Sequence, residues 1–71
     1  MRFLDAVSGS GIEPKAFYSV PEVSTALGIP ESTIRRELSS GRLRSFLPSG
    51  RKRGRLVTPE WVDEWIERGT D

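Results

Sequence analysis

Apolar residues along this chain recur first at helical spacing, then in alternation, then at helical spacing again. Val20, Val23 and Leu27 fall on one helix face, with Ala26 beside them. Ser19-Val20-Pro21-Glu22 has the form of a capping box, in which the Ser19 hydroxyl caps the Glu22 amide and the Glu22 carboxylate reaches back. Pro21 lies in the first turn, where no donor is lost, and Tyr18 and Val23 occupy the two positions of a hydrophobic staple. Gly28 suits a left-handed C-terminal cap. These signals predict a helix over about 20–27. Ile29-Pro30 makes the turn, with Ile29 as a plug, and Pro30 opens a second helix over about 31–39. Ile34 and Leu38 point inward there at i, i+4, and Glu31 suits the helix dipole at its start. The opposite face, at about 100° per residue, carries Ser32, Arg35, Arg36 and Ser39.

Leu43 to Leu47 reads as a strand and Arg55 to Val57 as its partner, joined by Pro48 to Gly54, whose two glycines, proline and three charges are hairpin-tip composition. Thr58-Pro59-Glu60 marks another helix start, and Val57 and Val62 would staple it. This helix, about 59–68, turns Trp61, Val62, Trp65 and Ile66 inward and Glu60, Asp63, Glu64 and Glu67 outward. Trp61 and Trp65 share a face with Val62 and Ile66, which makes them core rather than stacking platforms. Ahead of Phe17 the apolar anchors thin to Phe3, Leu4, Val7 and Ile12, and Ser8 to Lys15 reads as a flexible arm. Met1 to Val7 is open between a short strand or helical turn docked on the core and a frayed end. The expected fold is α+β, mostly α: a winged helix-turn-helix of two helices, a β-hairpin wing and a third helix, over 17–71, preceded by an N-terminal arm over 1–16.

Composition narrows the chemistry. Seventy-one residues make a single domain with only about 3–5 kcal/mol to spare, and without cysteine or histidine neither a disulfide nor an ordinary zinc site supports it. No apolar run approaches the roughly 18 residues of a membrane span, and no signal-peptide pattern is visible, so a cytoplasmic location is expected. The net charge of +1 hides a strong split. From Ser32 to Arg55 stand eight basic residues (seven of them arginine) against Glu37 alone, a local +7; the remainder carries −6. Arginine favours bidentate contact with phosphate or guanine.

Two helices joined by a tight turn containing glycine describe a helix-turn-helix, whose second helix enters the major groove of DNA by its N-terminal residues. Candidate DNA-binding residues on that helix are Ser32, Thr33, Arg35, Arg36 and Ser39; on the wing they are Arg44, Arg51, Lys52, Arg53 and Arg55. Crowding like charges on one short loop is tolerated where a polyanion receives them, and a thin basic ribbon fits a minor groove.

Tyr18-Ser19-Val20-Pro21-Glu22-Val23, Leu27-Gly28-Ile29-Pro30, Thr33-Ile34-Arg35-Arg36, Ser40-Gly41-Arg42-Leu43, the basic turn from Gly50 to Arg55 and Thr58-Pro59-Glu60-Trp61 together resemble phage excisionases, which share the MerR-like winged helix-turn-helix. The resemblance covers about 17–68. It implies a DNA-bending recombination directionality factor that works beside an integrase and does no chemistry itself. It also implies that the second helix reads the major groove and the wing the minor groove.

Other classes fit less well. Neither a histidine or cysteine nor a glycine-rich phosphate loop is present to support an enzyme, and no cofactor or small-molecule ligand is expected. RNA modules display aromatic platforms, whereas the aromatic residues here read as buried. A small phage or bacterial transcriptional regulator would use the same scaffold, and a protein-interaction module would use the acidic helix 59–68. The charge split also predicts DNA-dependent head-to-tail self-association, acidic face against a neighbour's basic wing, on repeated duplex sites.

Overall fold

Ser19 turns the chain into its first long helix as the capping box requires. Its backbone is extended (φ −84°, ψ 167°); its hydroxyl accepts from the Glu22 amide at 3.4 Å and its amide donates to Glu22 Oε1 at 2.9 Å. The computed structural model describes residues 2–50 and 54–69, and among them lie four helices and a two-stranded sheet. In chain order these are α1 (Phe3–Gly9), β1 (Tyr18–Ser19), α2 (Val20–Leu27), α3 (Glu31–Ser39), β2 (Leu56–Val57) and α4 (Pro59–Arg68). None of the described helices is long and apolar enough to cross a membrane.

The turn between α2 and α3 is held from both sides. Gly28, at φ 70°, takes the left-handed conformation that ends α2 and donates to the Ser24 carbonyl at 2.8 Å. The Ser24 hydroxyl donates to the Ile29 carbonyl at 2.6 Å, and the amides of Thr33 and Ile34 donate to the Pro30 carbonyl at 3.1 and 3.2 Å. Pro30 has no side-chain acceptor, so α3 begins without a side-chain cap and with Glu31 as the acid of its first turn. Thr58 does cap α4, accepting from the Trp61 amide at 3.2 Å.

Of the outcomes left open for the start of the expected arm, the docked helix is the one realised, and it runs into the expected flexible stretch as far as Gly9. Residues 3–9 form α1, which packs on α2 and α4, with Phe3 and Val7 fully buried. Two facts missing from a local reading explain this. Phe3 and Val7, four residues apart, make a small apolar stripe, and the Phe3 ring meets Tyr18 edge-on at 5.0 Å and 86°. Asp63, expected to face outward, accepts from the Phe3 amide through Oδ1 at 2.7 Å and so caps α1 from 60 residues away. The serine-glycine run ends this helix, the Ser10 hydroxyl donating to the Val7 carbonyl at 3.0 Å. The chain then returns with half-buried Ile12 against the core, and the Lys15 amide donates to Tyr18 Oη at 2.8 Å.

The sheet also departs from the expected pairing. β2 pairs antiparallel with β1, Tyr18 opposite Val57 and Ser19 opposite Leu56. The hairpin of 43–47 with 55–57 is reduced, among the described residues, to one bridge, in which Phe46 and Leu56 exchange bonds of 2.7 and 2.8 Å. Gly41 (φ 80°) turns the chain back after α3, and the Leu43 amide donates to the Glu37 carbonyl at 3.2 Å. Leu43 is thereby spent as a buried plug instead of a ladder residue. Arg51, Lys52 and Arg53 lie outside the described residues. The core runs through all layers: Phe3, Val7, Tyr18, Val23, Ile34, Leu38, Leu43, Val57 and Val62, with Trp61, Trp65 and Ile66 partly buried against it.

Two outcomes are expected. Phe3→Ala removes a fully buried ring, a loss of about 3–5 kcal/mol that matches what a domain of this size has to spare; urea titration should find the variant largely unfolded, whereas a free arm would leave the midpoint unchanged. Burial pushes the Glu22 carboxyl up, but hydrogen bonds from Lys15 and from the Ser19 amide and hydroxyl, with the Lys15 charge, outweigh it and hold the group below its ordinary 4.5. The folded state therefore favours the carboxylate. That stability is present above pH 4.5 and is lost as pH falls below it through the folded value. Glu22→Gln should flatten this acid limb in denaturation curves taken from pH 6 down to about pH 3.

Candidate nucleic-acid interface

α3 buries Ile34 and Leu38 and turns its other side to solvent. At about 100° per residue, Arg36 stands at the middle of the outward face, flanked by Ser32 and Ser39; all three are exposed. The Arg36 side chain has no hydrogen-bond or ion-pair partner among the described residues. Arg35 occupies one margin of this face, and half-buried Thr33 flanks the other side.

Arg35 shares a groove with the chain entering β2. Arg35 and Ser39 line it together with Gly54 and Arg55, and Ser19, Pro21 and Leu38 are also in its lining. Arg55 is exposed and steadied by a 3.0 Å bond from Nη1 to Ser45 Oγ. Residues 20 apart in the chain thus present two guanidinium groups and two hydroxyls to one concave surface. The Arg35 side chain is 62% exposed and donates through Nη2 to Glu31 Oε1 at 2.9 Å.

The remaining candidates are sorted differently. Arg44 faces α4, its Nε 3.9 Å from Glu64 Oε1, where Arg68 also approaches at 3.3 Å. At 3.9 Å and exposed, the Arg44 contact is worth little and is readily exchanged for another anion. Arg44 nonetheless does not line the groove. Arg51, Lys52 and Arg53, the tip of the expected wing, lie outside the described residues.

Glu37 is the structural residue that sequence reasoning passed over. Its Oε1 accepts from Trp65 Nε1 at 2.9 Å and forms an ion pair with Arg42 Nε at 3.2 Å, so the lone acid of the basic segment ties α3 to α4. The signal was present: a single carboxylate among eight bases, on the flank of α3 between its core and solvent faces. Arg68 reinforces the same junction, donating to the Arg42 carbonyl at 2.9 Å.

Two surfaces complete the picture. Phe17 and Phe46, expected to be buried with the other aromatics, are 41% and 46% exposed, their rings resting on each other with centroids 5.7 Å apart. Between α1 and α4, Asp5, Glu60, Asp63, Glu64 and Glu67 surround Arg2 in a shallow acidic depression. Asp63 and Glu64 are already engaged there; Asp5, Glu60 and Glu67 have no partner among the described residues.

The matching family model is described as a helix-turn-helix domain and covers residues 17–70, that is β1, α2, α3, β2 and α4 but not α1. No curated protein and no solved structure matches the chain. The matched family includes excisionase-like DNA-binding proteins. With most of its length matched, and with α2, a three-residue turn and α3 in the required order, the chain belongs to the helix-turn-helix domain family.

Proposed function

We propose that the protein binds duplex DNA sequence-specifically and bends it, as an excisionase-type recombination directionality factor acting beside an integrase. One observation carries this reading: Arg35 and Ser39 of α3 share a groove with Gly54 and Arg55, beside an exposed and unpaired Arg36. In this arrangement α3 enters the major groove, with Ser32 and Arg36 toward base edges. The sugar-phosphate strand runs through the groove past Ser39 and Arg55. The expected wing, tipped by Pro48 to Gly54, would supply Arg51, Lys52 and Arg53 as contacts to the adjacent minor groove. Contacts to successive grooves from one side favour a bend toward the protein, and contacts made by the bent duplex offset a deformation energy of about 1–6 kcal/mol.

Helix and wing separate in their response to mutation. With about five phosphates neutralised, log K against log salt should fall with a slope of about −4 to −5. Arg36→Ala should cost about 1–3 kcal/mol at the selected site and little on random duplex, whereas Arg55→Ala should weaken every duplex and make the slope shallower by about one. Titrations on both duplexes at several salt concentrations test this. Equal losses on both for the two variants would remove Arg36 from the reading face, and salt-insensitive affinity would end the DNA-binding reading.

Charge supplies the assembly. Asp5, Glu60 and Glu67 are unpaired acids on the α1–α4 side, while the basic segment lies between α3 and β2. Neighbours on DNA set one against the other in a head-to-tail contact that does not close on itself. The free protein should sediment as a monomer, and gel shifts on probes with one, two and three direct repeats should become cooperative from the second. A dimer in free solution with a symmetric inverted-repeat footprint would overturn this arrangement and favour a conventional regulator.

A further inference from the structure

Glu31 is an acid in the midst of this interface to which the reading above gives no role. It is the first residue of α3, at the end of the helix that a helix-turn-helix directs toward bases. Its side chain is 40% exposed, and its Oε1 holds Arg35 Nη2 at 2.9 Å. Glu37, the other acid of α3, is only 19% exposed and committed to Trp65 and Arg42. Of two adjacent arginines, then, Arg35 is tethered by a carboxylate and Arg36 is not.

The helix dipole accounts for a negative charge in the first turn. It does not account for that charge being shared with the arginine that lines the groove. A carboxylate in this place repels each phosphate that approaches, and so weakens binding to all DNA alike unless it discriminates between ligands of Arg35. It does discriminate. A phosphate is anionic and competes directly with Glu31 for the guanidinium. The O6/N7 edge of guanine is uncharged and offers two acceptors to the planar fork, so Glu31 can keep one donor while the others meet the base. We propose that Glu31 is a specificity-determining residue, which holds Arg35 off phosphates and presents it to guanine. This rests on the DNA-binding reading above.

Glu31→Gln keeps an oxygen that can accept from Arg35 but removes the charge. On a mixed-sequence duplex of 30 base pairs, the variant should gain one phosphate contact. The salt slope then steepens by about 0.9, equivalent to about eightfold tighter binding at 0.1 M than the wild type, relative to 1 M. Selection from a randomised duplex pool should enrich a guanine with the wild type and lose that preference with Glu31→Gln. Arg35→Lys, which cannot fork, should lose the same guanine while keeping its affinity for mixed sequence. In an Arg35→Ala background, Glu31→Gln should leave the slope unchanged, as a coupled pair requires.

An unchanged slope and unchanged selected sequence, with the variant still binding, would overturn the inference and leave the DNA-binding reading intact. Equal weakening on every duplex together with a lower melting temperature would reduce Glu31 to a helix-starting residue. A wild type that retains no duplex at all would overturn both.

Discussion

Tyr18 is the point on which the layers of this small domain converge. Its ring is fully buried, edge-on to Phe3 of α1, and its backbone pairs with Val57 in the sheet. Its hydroxyl accepts from the returning Lys15 amide, and it directly precedes the Ser19 cap of α2. A large aromatic with a polar tip suits such a place, since the body fills the core while the oxygen satisfies the loop. In a chain with no cysteine to form a disulfide, the angle of α2, and through the Gly28–Pro30 turn that of α3, depends on this one side chain being seated.

α3 is then held by three different kinds of contact. Ile34 and Leu38 give it depth in the core. Glu37, bonded to Trp65, fixes its rotation against α4. Its other margin is left concave and basic, facing Arg55. An isolated helix of nine residues would be marginal in water, so its shape comes from these neighbours. Rigidity on two sides and cationic openness on the third are what a surface for a polyanion needs.

The parts legible in the sequence are those whose cause is local. The Ser19 capping box, the Gly28 terminator, the Thr58-Pro59 start and the Ile34/Leu38 spacing each depend on residues within a turn or two, and α2, α3 and α4 lie where these signals place them. What was missed or left open depends on residues remote in the chain. α1 has seven residues, too few to persist alone, and its cap comes from Asp63. β2 finds its main partner at Tyr18–Ser19 rather than in the neighbouring segment 43–47. Within the candidate site, α3 was readable from periodicity. The pairing of Arg35 with Arg55 across a groove, the diversion of Arg44 toward Glu64 and the engagement of Glu37 by Trp65 required the fold.

The bond from the Phe3 amide to Asp63 bears on how this domain comes into being. α1 leaves the ribosome before α4, yet its cap and part of its packing surface belong to α4. Nothing local compensates for their absence: Arg2 offers α1 no side-chain cap. The α2–turn–α3 unit therefore emerges before β2 and α4, which complete its packing. A nascent or truncated chain lacking α4 carries the arginines but not the frame that sets them in one groove. Coupling α1 to α4 thus makes the groove a property of the completed fold, assembled only once both helices are present.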